Sequence, residues 1–156
     1  MCVIAYIETA RLSEHQVTQM YDANDHGGGA AWREDGVVKW SKGLNRNAMV
    51  ALAAELPLPH VLHFRIASAN TSKSALACHP FPIDAEVTLG YTGETDGSVL
   101  FHNGFWHDWK NKILNASFTG HIMVPSGPWS DSRGLAWAAH NFGLGLLEMT
   151  GEKVIT

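Results

Sequence analysis

Cys2 carries a thiol and, once Met1 is removed, a free α-amine in the same residue. A thiolate is intrinsically a strong nucleophile, and an adjacent amine can activate it. The ordinary pKa of a chain-terminal amine, ~7.7–8.0, suits a general base near neutral pH. Taken alone, Cys2 also fits a cysteine that merely happens to stand second. Asn103-Gly104 follows the strand-like run Ser98–His102. A strand end of this kind can aim a side-chain amide N–H and a backbone N–H at one point, which is what an oxyanion hole requires, or it can simply turn the chain. Arg65 interrupts the apolar run His63–Ser68. Its guanidinium cannot shed its charge, so burial calls for an internal acid or a ligand carboxylate gripped by two parallel bonds. Asp131, in Pro128-Trp129-Ser130-Asp131-Ser132, stands at a helix start, where it either caps the helix or accepts a ligand ammonium. An arginine for a carboxylate and an aspartate for an ammonium together fit an α-amino acid.

Nine histidines raise the question of a metal. His60 and His63, three apart on one strand, face opposite sides of it. His102 and His107 straddle the Asn-Gly turn, and Cys78-His79 is adjacent rather than spaced like paired zinc ligands. Neither a metal nor an organic cofactor is expected.

These residues must be positioned by short, alternating elements. Residues 3–8 form a β-branched and aromatic run, expected as a buried strand. Ser13 is placed to cap a helix over 14–23, with Val17 and Met20 on one face. Asp35-Gly36 between AAWRE and VVKWS is the strongest hairpin signal in the chain. Asn45 caps a second helix that Pro57 stops. A strand over 60–68, a polar loop over 69–83 and a second hairpin (EVTLGYT, a Gly93–Gly97 turn, SVLFHN) follow. Helices over 106–117 and 131–142, the latter capped by Ser130 or Asp131, and a strand beginning at EKVIT complete the chain. Strand pairs interleaved with paired helices predict an α+β fold with mostly antiparallel sheets.

The chain of 156 residues fits a single domain over 1–156, and 46% hydrophobic residues suffice for a packed core. A net charge of −4 gives no reason to expect nucleic acid or an anionic membrane as partner. No stretch approaches the ~20 apolar residues of a membrane span. The N-terminus lacks the basic region of a signal peptide, and two cysteines make no disulfide framework; a cytoplasmic protein is expected.

From Cys2 to about residue 142 the chain resembles the glutaminase domain of class II glutamine amidotransferases, in particular the small stand-alone kind. The resemblance rests on Met1-Cys2, on Asn24-Asp25-His26-Gly27-Gly28-Gly29, on His63-Phe64-Arg65-Ile66-Ala67-Ser68, on His79-Pro80, on His102-Asn103-Gly104 and on Ser130-Asp131-Ser132, all in the family's order. It implies a four-layer αββα N-terminal nucleophile hydrolase sandwich, two mostly antiparallel sheets between helices. It further implies Cys2 as nucleophile with its own amine as base, Asn103 and Gly104 as oxyanion hole, Arg65 on the substrate carboxylate and Asp131 on its ammonium, with Ser68 and His79 beside the pocket. Departures are Ala69-Asn70 where the family has His-Gly, His26 where it has Asp, and an end at Thr156 where such domains continue. The reaction implied is hydrolysis of glutamine to glutamate and ammonia through a thioester, with either a separate synthetase accepting the ammonia or the protein acting as a simple amidase. Hydrolysis of another γ-glutamyl-type amide and a non-catalytic binding module keeping the fold are the alternatives. Retention of Met1 would block the amine and favour the last.

Overall fold

The computed structural model describes residues 2–67, 74–150 and 153–155, the last three through their backbone. The first half of the chain builds a five-stranded sheet. Strands β1 (Val3–Ile7), β2 (Gly28–Glu34), β3 (Val37–Leu44), β4 (His60–Phe64) and β6 (Thr92–Thr95) lie in the order β1-β4-β2-β3-β6, every neighbour antiparallel. Asp35 and Gly36 both take positive φ, 52° and 85°, as a two-residue hairpin turn between twisted strands demands. Helices α1 (Glu14–Ala23) and α2 (Arg46–Glu55) cover one face. Ser13 and Gln16 cap α1 reciprocally, and Asn45 caps α2 by accepting from Ala48 N–H. That face buries Ile7, Ala30, Leu62 and Phe64 against Val17, Tyr21, Met49 and Ala53.

A smaller sheet, also antiparallel, has the order β5-β7-β8, from β5 (Phe81–Pro82), β7 (Val99–Asn103) and β8 (Lys153–Ile155). It faces the first sheet through a thin core of Ala31 and Trp40 from one side and Val99 and Phe101 from the other. Its outer face packs Phe81 and Leu100 against α3 (Trp109–Gly120), α4 (Asp131–Phe142) and α5 (Gly145–Met149). The layering is helices, sheet, sheet, helices. Residues 131 to 139 of α4 are all buried, so this helix is enclosed on every side up to its last turn.

Four expectations need correction. The polar loop expected over 69–83 is buried from Cys78 to Pro82, where Phe81–Pro82 form β5. The second hairpin does not exist: β6 joins β3 in the large sheet while β7 belongs to the small one, and residues 86–91 are not strand. Gly93 explains part of this, because the Trp40 ring lies where a β-carbon would stand and holds β6 against β3. The regular strand expected over 60–68 ends at Phe64; Arg65 still bonds to Gly27 and His26, and past it Ile66 and Ala67 bond to side chains. The helix expected from residue 106 starts at Trp109 and runs to Gly120, since Asp108 is left-handed (φ 56°) and breaks the helical path before it. Helix α5 was not anticipated. No helix among the described residues is long and apolar enough to cross a membrane.

Candidate functional site

The start of β1, the end of β4 and the end of β7 meet at one edge of the two-sheet layer. There the Asn103 amide donates to the Cys2 carbonyl at 2.7 Å, linking residues 101 positions apart and tying the small sheet to the large one. The Cys2 thiol is half-buried and lies along the backbone of Ile66. It accepts from Ile66 N–H at 3.4 Å and donates to Ile66 C=O at 3.5 Å. Sulfur is weak in both roles, so these contacts orient the thiol more than they bind it.

Arg65 stands between that clamp and β4. Its backbone continues the sheet past the formal strand end: Arg65 N–H donates to Gly27 C=O at 2.9 Å, and His26 N–H donates to Arg65 C=O at 3.0 Å. The side chain is 6% exposed, close enough to His63 and Cys78 for its charge to act on both. Next in the chain, Ala67 N–H finds the His26 ring, donating to Nδ1 at 2.8 Å. Cys78 packs behind the glycine turn with its thiol on His26 C=O at 3.7 Å, and burial raises its pKa. A buried thiol with a raised pKa is the poorer nucleophile of the two cysteines.

Beneath these groups the inter-sheet layer is polar. His63 and His79 lie with ring centroids 4.3 Å apart, His102 lies 6.4 Å from His79, and all three are buried. Burial first, then the nearby cations, holds His63 down to about 3 and His79 well below the ordinary histidine range, so both rings are neutral. Lys42 enters the same layer from β3. Its ammonium donates to Pro80 C=O at 3.1 Å and sits 4.3 Å from the centre of the Phe81 ring, while burial lowers its pKa to about 8. His102 reaches the other way, Nδ1 lying 2.9 Å from Ser132 Oγ, and couples β7 to α4.

Asp131 occupies the first turn of α4, but Ser130 is the cap, accepting from Arg133 N–H at 3.1 Å. The Asp131 carboxylate accepts from Ser132 N–H at 2.9 Å and from Trp106 N–H at 3.3 Å. It thereby fixes the chain just beyond Asn103 and the exposed Gly104. Cys2 thus meets Asn103 and Ile66, with Arg65 preceding Ile66 in the chain. Asp131 joins them through the Trp106 segment, and His79 lies within the buried histidine group, only 4% exposed. Ser68 falls outside the described residues.

Two contributors escaped the reading of the sequence. Lys42 shares a strand face with Val38 and Trp40, and that alternation marks it as inward-facing. His26 was noted only as a departure from a motif, whereas its ring receives Ala67 N–H. Among the described residues no group of three His, Cys, Asp or Glu side chains could hold a metal. At the far end of the layer, an open cleft of about 190 Å³ lies among Tyr6, Arg33, Val38, Val61, Val99 and Phe101. It belongs to the opposite ends of β1, β4 and β7, away from Cys2.

No protein-family model matches this chain, and no protein of curated function matches it in sequence.

Proposed function

We propose that the chain is a class II glutamine amidotransferase-type domain with the N-terminal nucleophile hydrolase fold, which hydrolyses the side-chain amide of glutamine at Cys2. The observation that carries this reading is the 2.7 Å bond from Asn103 Nδ2 to Cys2 C=O, which sets an amide donor beside the nucleophilic residue. A primary amide has two hydrogens and this bond uses one. The second, with the backbone N–H of Gly104, is the donor pair for an oxyanion at the substrate carbonyl.

The reaction runs in two halves. With Met1 removed, the α-amine of Cys2 takes the thiol proton, and the sulfur attacks the amide carbon. The C=O electrons move onto oxygen, where Asn103 and Gly104 stabilise them. Collapse of this intermediate breaks the C–N bond, the ammonium of Cys2 returns its proton to the departing nitrogen, and ammonia leaves a thioester. Water, deprotonated by the same amine, then attacks the thioester, and glutamate departs as the thiol is restored. Arg65 grips the α-carboxylate of the substrate. Asp131, already engaged by two backbone N–H groups, keeps further lone pairs with which to accept the α-ammonium. His79 completes the surroundings of the pocket in this reading. A separate synthetase consumes the ammonia, in the reducing cytoplasm that keeps both cysteines as thiols.

Arg65 and Asp131 together read only the α-amino acid head and leave the amide substituent open, so a second reading is other γ-glutamyl-type amides alongside glutamine. The test is to confirm Met1 removal by intact mass, then treat the protein with a diazo-ketone analogue of glutamine and map the adduct. Labelling of Cys2 alone, with ammonia release from glutamine, is expected. Equal labelling of Cys2→Ala, or a Met1-free protein that neither labels nor releases ammonia, overturns the proposal in favour of a binding module.

A further inference from the structure

Beyond Arg65 the chain leaves the regular sheet, and the hydrogen bonds that hold it come from side chains. Ile66 is bonded at both its N–H and its C=O by the Cys2 thiol, and Ala67 N–H is bonded by the His26 ring at 2.8 Å. His26 is itself well anchored. Its N–H donates to Arg65 C=O at 3.0 Å, its C=O accepts from the Cys78 thiol, and its side chain is 22% exposed. Behind it, a β-carbon at Gly27 would stand 2.7 Å from Cys78 Sγ, so the turn carrying His26 has no room to shift toward that cysteine.

We infer that His26 is a positioning residue for Cys2: its neutral imidazole fastens Ala67, and through the 65–67 segment it holds the backbone of Ile66 against the thiol. The inference rests on the reading of Cys2 as the nucleophile. The chemistry is specific to one protonation state. Ala67 N–H can donate only to a ring nitrogen that bears no hydrogen, so Nδ1 is bare and Nε2 carries the proton of the neutral ring. Nε2 faces Asp25 Oδ1 at 3.7 Å, an arrangement that suits a proton on that side. Protonating the imidazole puts a hydrogen on Nδ1 as well, directly opposite Ala67 N–H, and turns the bond into a repulsion. The segment is then held less firmly, and with it the Ile66 N–H that supports negative charge on the sulfur as it reacts. Other charged or titratable groups around His26 are Arg65 at the end of β4, Cys78 behind the glycine turn, Cys2 across Ile66, and Tyr21 of α1 with Arg46 of α2 beside Asp25.

His26→Asn and His26→Leu separate the fastening from mere bulk. Asparagine offers an oxygen near the place of Nδ1; leucine offers no acceptor. The readout is the rate of alkylation of Cys2 by iodoacetamide at one fixed pH, followed by peptide mapping, which needs no knowledge of the substrate. His26→Leu should react about two- to tenfold more slowly than the wild type, the span one hydrogen bond of ordinary net strength supports, and His26→Asn should keep a rate near the wild type's. A wild-type rate in His26→Leu, or an equal loss in both variants, overturns the inference; should His26→Leu not fold, His26→Ala takes its place under the same outcomes. A protein that ignores glutamine yet shows His26-dependent alkylation keeps this inference and loses the glutaminase reading. A working glutaminase with His26-independent alkylation does the reverse.

Discussion

The two ends of the inter-sheet layer are built on opposite plans. At the Cys2 end the sheets are fastened by polar groups at close range: the Asn103 amide on the Cys2 carbonyl, and the histidine group and Lys42 beneath. At the other end the contact is apolar and thin, and the sheets part around a cleft of about 190 Å³ with Tyr6 55% exposed at its side. Apolar contact is non-directional, and a gap simply forfeits part of it. Polar contact has geometry, and buried polar groups without partners are costly, so an end built this way holds one arrangement or loses much of its stability. Precise placement is what a nucleophile and its oxyanion donors need, and the polar end is where those candidates stand.

The largest effect expected from breaking this contrast is at Asn103. Asn103→Ala removes the cross-sheet bond and the proposed oxyanion donor together. Turnover should fall about 10²–10³-fold, the usual result of deleting one such donor. Stability should fall by only about 0.5–1.5 kcal/mol for the lost hydrogen bond. Asn103→Gly tests whether the residue merely shapes the turn, since glycine accepts any backbone geometry there. Wild-type turnover in Asn103→Gly would remove the residue from the mechanism, and the melting temperatures of both variants show how much of the link is structural.

A second effect is set by pH. His63 has its pKa lowered to about 3 from an ordinary 6.5, chiefly by burial. In the unfolded chain it takes up a proton below about 6.5, whereas in the folded protein it resists until about 3. The unfolded state therefore binds more protons throughout that window, and stability is present above it and lost progressively as pH falls through it. The slope is about 1.4 kcal/mol per pH unit for each such histidine, and His79, shifted in the same direction, adds to it. His63→Phe keeps a ring beside Phe101 and removes the proton acceptor, so its unfolding free energy should depend less steeply on pH between about 6 and 4. An unchanged slope would show that these rings do not set the acid lability of this end.

How much of this was legible beforehand depends on the range of the forces involved. The β2–β3 hairpin, the Ser13 and Asn45 caps and the bounds of α4 follow from neighbours in sequence, and they were read correctly. The pairing of β6 with β3 instead of β7 was not legible, because contacts such as Gly93 on a tryptophan 53 positions earlier in the chain contribute to it. At the site, residue types drew attention to Cys2, Arg65, Asn103 and Asp131. What they could not convey was that Asp131 secures Trp106 N–H, or that His26 fastens Ala67, since both contacts link segments that only the fold brings together. Lys42 was readable from strand alternation, but a lysine facing inward runs against the ordinary expectation for that residue.

The smallest effects sharpen the comparison by adding a carbon at each end. Gly29 lies in β2 opposite His63, and a β-carbon built there meets the His79 carbonyl oxygen, backbone that cannot swing aside as a side chain can. Its conformation is an ordinary strand one, so the obstacle is steric. Gly29→Ala should then cost roughly 1–3 kcal/mol, as overpacking does, and should disturb the histidine group beneath Cys2. Val61 lies on the same face of β4, two residues nearer the start of that strand than His63, partly buried against Ala31, Trp40, Val99 and Phe101 and bordering the open cleft. Val61→Ile adds one methylene with the β-branching that suits a strand. Here space is available, so the change should stabilise by up to about 0.8 kcal/mol, the value of one buried methylene, and leave the alkylation rate of Cys2 unchanged. Thermal unfolding of the two variants beside the wild type measures the contrast directly. If Val61→Ile destabilises as much as Gly29→Ala, the far end is as closely packed as the Cys2 end and the two plans are one. If Gly29→Ala is neutral instead, the His79 backbone can yield, and the Cys2 end is less rigid than its polar contacts suggest.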